Sequence, residues 1–331
     1  SSDVCSSDLA TQIQGETIPT DKRGALSMTI RQPVGVILSI APWNGPIVLA
    51  ARALAYPLVC GNTVVFRASG TSPRTHALLV EILHAAGLPA GALNLITTAP
   101  SDAPAVIDEL IGHPAIRRIN FTGSTRVGRL IAQKAALHLK RCLLELGGKS
   151  AVIVFDDANL MDAAKFGMSG AVSANGQGCV NGTRLLVQRG IAEAFTERFR
   201  ERAAQIRQGD PRDEDTQIGP NIHLKHVERV QGFVDRAKSD GATIAYGGDV
   251  NTDLGPHYYR PTLVVDAQPG SEILTQEVFG PVAAVIPYYQ RFLAVFPDVA
   301  ALAAAAGRPL PYPSARRSTP PGIPGAVAAP P

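Results

Sequence analysis

From Val34 to Gly148, short apolar runs alternate with segments of helical spacing, and this alternation most narrows what the chain can become. VGVILSI (34–40), TVVFR (63–67), LNLIT (93–97), IRRINFTG (116–123) and CLLELGG (142–148) read as strands. Between them lie a helical stretch from Pro46 to Cys60, THALLVEILHAAG (75–87) with its stop signals Gly87 and Pro89, and a helix opening near Thr125. Continuous apolar strands separated by helices predict a parallel sheet covered on both faces. SAVIVF (150–155), RLLVQ (184–188), TIAYGG (243–248) and TLVVD (262–266) repeat the plan. Helices are expected from Asp157 to Ala171, after Gln188 to about Gln208, and over 221–239. The expected fold class is α/β, with two three-layer αβα domains over residues 34–147 and 148–290.

At 331 residues the chain is long enough for two such cores, and 45% hydrophobic against 18% charged content excludes a disordered chain. The longest apolar runs fall far short of a membrane span, and SSDVCSSDLA lacks the basic start and apolar stretch of a signal peptide, so a cytoplasmic protein with no membrane partner is expected. Cys5, Cys60, Cys142 and Cys179 show no CxxC spacing, so no metal site is expected. The net charge of +3 arises entirely from the four arginines and one aspartate after Gln290, which leaves the first 290 residues neutral and gives no ground for a nucleic-acid partner.

The most specific stretch is SANGQGCVNGTR (173–184), where Gly176, Gly178 and Gly182 crowd around Cys179 with no His, Asp or second Cys nearby. Cys179 is either a small buried hydrophobe or a nucleophile, and a thiol nucleophile needs an activated thiolate, an oxyanion hole and a way to release the acyl group. Four other segments offer such parts. In PWNGP (42–46), at a strand end, Asn44 presents either an oxyanion donor or a helix N-cap. In ELGGK (145–149), Glu145 is a general base if burial raises its pKa, or else the partner of Lys149 or Arg141 in a salt bridge. In FTGSTRVG (121–128), Gly123 and Gly128 bracket a strand-to-helix turn, a natural phosphate site with GxxxxG spacing. In QEVFGPV (276–282), Glu277 and Phe279 precede a Gly-Pro turn.

Taken in order and spacing, these motifs resemble the aldehyde dehydrogenase superfamily over roughly residues 25–290. The resemblance implies a Rossmann-like pair of domains and NAD or NADP as cofactor. It makes Cys179 the nucleophile, Asn44 and the Cys179 N–H the oxyanion donors, and Glu145 the base that frees the acid from a thioester. Cys179 would then draw its partners from strand ends 34 and 135 residues upstream. Ser124 would lie near the pyrophosphate and Glu277 would hydrogen-bond the nicotinamide ribose. Cofactor contacts are further implied for Trp43, Arg67, Ser69, Gly70, Gly123, Gly128, Leu146 and Phe279. Arg67 stands where many members have lysine, and Gly70 where NAD-preferring members have glutamate, so NADP becomes an accessible cofactor. Glu145 favours hydrolysis over the CoA-acylating alternative.

Arg52 and Ala53, where many members have Trp-Lys, are similar to the salicylaldehyde and vanillin dehydrogenase branch; CVNGTRLLV (179–187) is closer to the betaine-aldehyde branch. A small-molecule aldehyde, favoured to be aromatic, is the implied substrate, and a homodimer or homotetramer the implied complete form. Family members extend roughly a hundred residues further on each side. Residues 1–10 read as a non-native leader resembling a translated sequencing adapter. Residues 11–33 read as the remnant of an N-terminal helix and of one arm of an oligomerisation hairpin, ALSMTIRQP (25–33), lacking its partner. Residues 291–331, with nine of the 26 prolines, read as a frame-shifted tail. The competing reading of the whole is a truncated, inactive member with a structural or vestigial role.

Overall fold

The computed structural model describes residues 9–288; the expected leader and tail lie almost wholly outside them. The chain divides into two compact units, Ser1–Gly148 with Gln177–Val180, and Lys149–Gly176 with Asn181–Pro331. The first boundary falls one residue from the expected one. The cysteine segment Gln177–Val180 belongs to the first unit rather than to a domain of 148–290, because Asn44 Nδ2 donates to the Gln177 carbonyl at 2.9 Å.

The first unit is built on a five-stranded parallel sheet of β3 (Val36–Ile40), β4 (Thr63–Arg67), β5 (Leu93–Ile96), β6 (Ile116–Thr122) and β7 (Arg141–Glu145), in the order β5-β4-β3-β6-β7. Its crossovers are α1 (Pro46–Val59), α2 (Pro73–Ala85), α3 (Ala103–Gly112) and α4 (Thr125–Leu137). Leu38, Ile40, Ile119, Phe121 and Ile131 form a core on one face, and Leu54, Val64, Phe66, Val80 and Leu93 one on the other. Apolar packing on both faces is why these strands read as unbroken runs. Full burial of Leu38, Leu54 or Ile119 contributes roughly 1.5–3 kcal/mol each. The helix α3 has no counterpart in the sequence expectation: it is ten residues long and carries Pro104 in its first turn, so it resembles loop punctuation.

Ahead of this sheet, β1 (Thr17–Ile18) pairs antiparallel with β2 (Ser27–Met28). The arm expected to lack a partner therefore has one, although Leu26, Met28 and Ile30 remain 73%, 54% and 67% exposed. The segment is long enough to fold back on itself through the turn at Gly24, where φ is +78°.

The second unit also has five strands: β8 (Ala151–Val154), β9 (Arg184–Gln188), β10 (Thr243–Tyr246), β11 (Thr262–Val265) and β12 (Val282–Tyr288), ordered β10-β11-β12-β9-β8. The sheet is parallel, as expected, in all pairs but β10–β11, which adds one antiparallel edge strand. Apolar patterning sets which residues are buried but not strand direction. The strand β12 is masked in the sequence by two alanines and Pro287. The flanking helices are α5 (Leu160–Val172), α6 (Ala192–Ala204), α7 (Leu224–Ser239) and the single turn α8 (Glu272–Thr275). In α7 the residues His226, Val227, Val230, Phe233, Val234 and Ala237 form a buried stripe at helical spacing.

Candidate active site

In the first unit the register brings Ile96, Arg67, Ile40, Phe121–Thr122 and Glu145 into one row at the carboxyl edge of the sheet. The chain runs outward from β3 through β4 to β5 and then restarts at β6 on the other side of β3. That reversal opens a crevice between β3 and β6, the usual ligand position in an open α/β sheet. Trp43 and Asn44 follow β3, and Gly123 and Ser124 follow β6.

Asn44 does not cap α1. The N-cap is Gly45, which has no side chain to offer, and Pro46 supplies the fixed φ that starts the helix. The Asn44 amide instead spends one N–H on the Gln177 carbonyl, two residues from Cys179. An asparagine amide carries a second N–H, available to an oxyanion. Glu145 pairs with neither Lys149 nor Arg141. Its carboxylate faces Arg52 at 3.6 Å, and its side chain is 53% exposed. An ion pair that open adds about 0–1 kcal/mol. Arg52 lies six residues after Pro46 on α1, about 9 Å along the axis. Asn44, just before α1, thus reaches the cysteine segment, and Arg52, midway along α1, reaches the Glu145 carboxylate. Cys179 itself is a free, partly buried thiol in a turn.

The turn after β6 and the turn after β7 are coupled. The Gly123 N–H donates to the Glu145 carbonyl at 3.0 Å, and a Cβ on Gly128 would fall 2.5 Å from Leu146 Cδ2. Glycine at 128 therefore lets the first turn of α4 press against Leu146. Ser124 caps α4, its Oγ accepting from the Val127 N–H at 3.4 Å, and stands exposed at the helix start where an anion is favoured. Arg67 is half-buried, its Nη2 donating to Thr98 Oγ1 at 3.1 Å, and burial lowers its pKa without removing its charge. Ser69 is buried in local bonds: its N–H donates to His76 Nδ1 at 3.0 Å and its Oγ accepts from the Thr71 N–H at 3.2 Å. Gly70 is exposed, with Thr98 O the nearest atom at 3.7 Å from a Cβ built there. The exposed start of α4 at Ser124 and the Arg67 guanidinium are groups whose chemistry fits a dinucleotide phosphate.

Glu277 and Phe279 belong to the second unit, as does Lys149. Lys149 is held at about 8 by burial first and by the Arg184 charge second, with Glu277 opposing both. Ala174, Asn175 and Gly176 form a left-handed turn, with φ of +50°, +61° and +72°. The buried Asn175 amide donates to Asn221 Oδ1 at 3.0 Å, and Asn181 Nδ2 donates to the Ser173 carbonyl at 2.9 Å. A Cβ on Gly176 would sit 2.0 Å from the Gly280 carbonyl, and one on Gly182 2.5 Å from Val152 Cγ2. These two glycines answer to protein packing, not to the approach of a ligand. Gly176→Ala is expected to lower unfolding free energy by at least about 3 kcal/mol, since it combines left-handed strain with a backbone clash. Gly87→Ala, at φ +95° with no atom within 4 Å, should lose only about 1–2 kcal/mol. Urea midpoints for the two variants check this, and equal losses would refute it.

Residues 5–293 match the model of the aldehyde dehydrogenase family. The chain belongs to that family. It is 52% identical over 279 residues to a salicylaldehyde dehydrogenase of Pseudomonas sp. (strain C18), covering 84% of this chain and 57% of that enzyme. It is 45% identical over 278 residues to a vanillin dehydrogenase of Pseudomonas sp. (strain HR199 / DSM 7063), with the same two coverages. The crystal structure of a salicylaldehyde dehydrogenase from Pseudomonas putida G7 complexed with salicylaldehyde superposes with a TM-score of 0.83 at 50% identity, covering 87% of this chain and 59% of that one. The chain spans just over half the length of these relatives. No helix among the described residues is long and apolar enough to cross a membrane.

Sequence reasoning did not single out Arg52 as the partner of Glu145, nor Asn221 as the partner of Asn175, nor His226 or Arg229. Arg52 stood out as a departure from the family pattern, but nothing local connects a residue of α1 to a carboxylate at the end of β7. Asn221, His226 and Arg229 make tertiary contacts that no spacing encodes.

Proposed function

We propose that this chain carries the reactive centre of an enzyme that oxidises an aldehyde, with aromatic aldehydes such as salicylaldehyde favoured, to the carboxylic acid with NAD or NADP. The carrying observation is that, at the carboxyl edge of one parallel sheet, Asn44 bonds the Cys179 segment while Arg52 of the following helix α1 faces Glu145. The Cys179 thiolate adds to the carbonyl carbon, and the π electrons move onto oxygen. The second Asn44 N–H and the Cys179 backbone N–H hold that oxyanion. Bound NAD+ or NADP+ supplies the acceptor for the hydride that leaves as the oxyanion collapses to a thioester on Cys179. Glu145 takes a proton from water, the hydroxide attacks the thioester carbon, and the Cys179 thiolate departs as the acid forms.

Arg67, Ser124 and the N–H groups at the start of α4 would hold the dinucleotide phosphates, and Glu277 its nicotinamide ribose. Glycine at position 70 removes one carboxylate that would repel a 2′-phosphate, which supports use of either cofactor. The experiment is a 340 nm assay of purified protein with salicylaldehyde, vanillin, betaine aldehyde and propanal, each with NAD+ and NADP+, and identification of the acid. Salicylaldehyde or vanillin should give the highest kcat/KM. Preference for propanal or betaine aldehyde would overturn the aromatic assignment, and a product made only with added CoA would overturn the hydrolytic one.

A further inference from the structure

The stretch from Glu277 to Gly280 has no helix or strand of its own, yet it holds Phe279 at a φ of +62°, a costly conformation for a bulky residue. Its restraint comes from one face of α7. Arg229 Nη2 donates to the Glu277 carbonyl at 2.8 Å, Arg229 Nη1 donates to the Val278 carbonyl, and His226 Nε2 donates to the Phe279 carbonyl at 2.6 Å. Three consecutive carbonyls are thus tied to two side chains one helical turn apart. Val230, on the next position of that face, lies 2.5 Å from a Cβ built on Gly280. Gly280 in turn backs onto Gly176.

Both side chains are themselves fixed. The Arg229 guanidinium lies 4.9 Å from the centroid of Phe233, whose ring also meets Arg236 at 5.0 Å. His226 is 8% exposed, with the His223 and Phe279 rings edge-on at 5.9 and 6.0 Å. Burial keeps His226 below its ordinary pKa, so the neutral ring carries its proton on Nε2 toward the carbonyl.

We propose that His226 and Arg229 are positioning residues for Glu277, fixing the 277–279 backbone so that the Glu277 carboxylate is presented in one orientation to the ribose of a nicotinamide dinucleotide. The proposal rests on the assignment of Glu277 to that ribose. A forked guanidinium is required here because one planar group reaches two adjacent carbonyls; an ammonium at the same place serves as a point donor.

The test compares His226→Leu, His226→Gln, Arg229→Met, Arg229→Lys and Glu277→Gln in the full chain by amide hydrogen exchange and by NAD+ titration calorimetry. His226→Leu and Arg229→Met should each raise exchange at 277–282 at least tenfold, leave β9 and α6 unchanged, and weaken NAD+ at least fivefold. His226→Gln keeps a donor and should stay within about twofold of the parent; Arg229→Lys should fall between parent and Arg229→Met. Unchanged exchange at 277–282 in both apolar variants overturns the proposal, and if NAD+ affinity still falls, the two side chains touch the dinucleotide directly. Exchange that rises throughout the second unit, even in His226→Gln and Arg229→Lys, also overturns it, leaving a purely structural role. If exchange rises only at 277–282 while NAD+ affinity is unmoved there and in Glu277→Gln, the backbone restraint stands and the ribose assignment of Glu277 fails.

Discussion

Cys179→Ser is expected to reduce aldehyde oxidation at least about 10⁴-fold, close to 5 kcal/mol of transition-state stabilisation. A serine hydroxyl needs a base to deprotonate it, whereas a thiol is the one side chain that is partly ionised and strongly nucleophilic without one. The surroundings are consistent with this: no motif puts a histidine beside Cys179, and the Asn44 contact is to the Gln177 backbone rather than to sulfur. The check is a burst experiment with a p-nitrophenyl ester, which needs no cofactor. The parent should release one nitrophenolate per chain before the steady state, and Cys179→Ser none. Cys142→Ser should leave the burst intact, because that thiol is pushed up by burial and sits within β7. A burst that survives Cys179→Ser and disappears with Cys142→Ser or Cys60→Ser would place the nucleophile elsewhere.

The α/β character was legible because both faces of the central first-unit strands β3 and β4 are packed. VILSI and TVVFR carry little but apolar residues, and no other common arrangement requires that. What patterning does not carry is direction and partner. The antiparallel edge at β10 has the same four-residue apolar look as its parallel neighbours. The candidate set of Cys179, Glu145 and Asn44 could be assembled from sequence only because long motifs occur in a fixed order, each piece having an ordinary alternative. Two of those alternatives are now decided by contacts: Gly45, not Asn44, caps α1, and Arg52, not Lys149 or Arg141, faces Glu145. Lys149 follows Glu145 by four residues yet lies in the other unit beside the charges of Arg184 and Glu277. Proximity in sequence misleads where a chain crosses between units.

Glu145→Gln separates the two halves of the proposed reaction, and its expected effect is large on only one of them. The amide retains the shape of the carboxylate but cannot take a proton from water, so release of the acyl group should slow about 10²–10⁴-fold. Acylation of Cys179 does not use Glu145, so the nitrophenolate burst should remain at one per chain while the steady-state rate collapses. Intact-mass measurement should then find one acyl group per chain, on the peptide that contains Cys179. The folded state should be little affected, since the Arg52–Glu145 contact is 3.6 Å long between side chains 39% and 53% exposed, and such a pair is worth about 0–1 kcal/mol. An unchanged steady-state rate would remove Glu145 from the mechanism and leave it as the ion-pair partner of Arg52. Loss of the burst itself would instead make Glu145 the base that activates the thiol. Arg52→Met distinguishes a further possibility from these: if Arg52 only holds the carboxylate in place, hydrolysis of the acyl group should slow by less than in Glu145→Gln, and the burst should again be preserved.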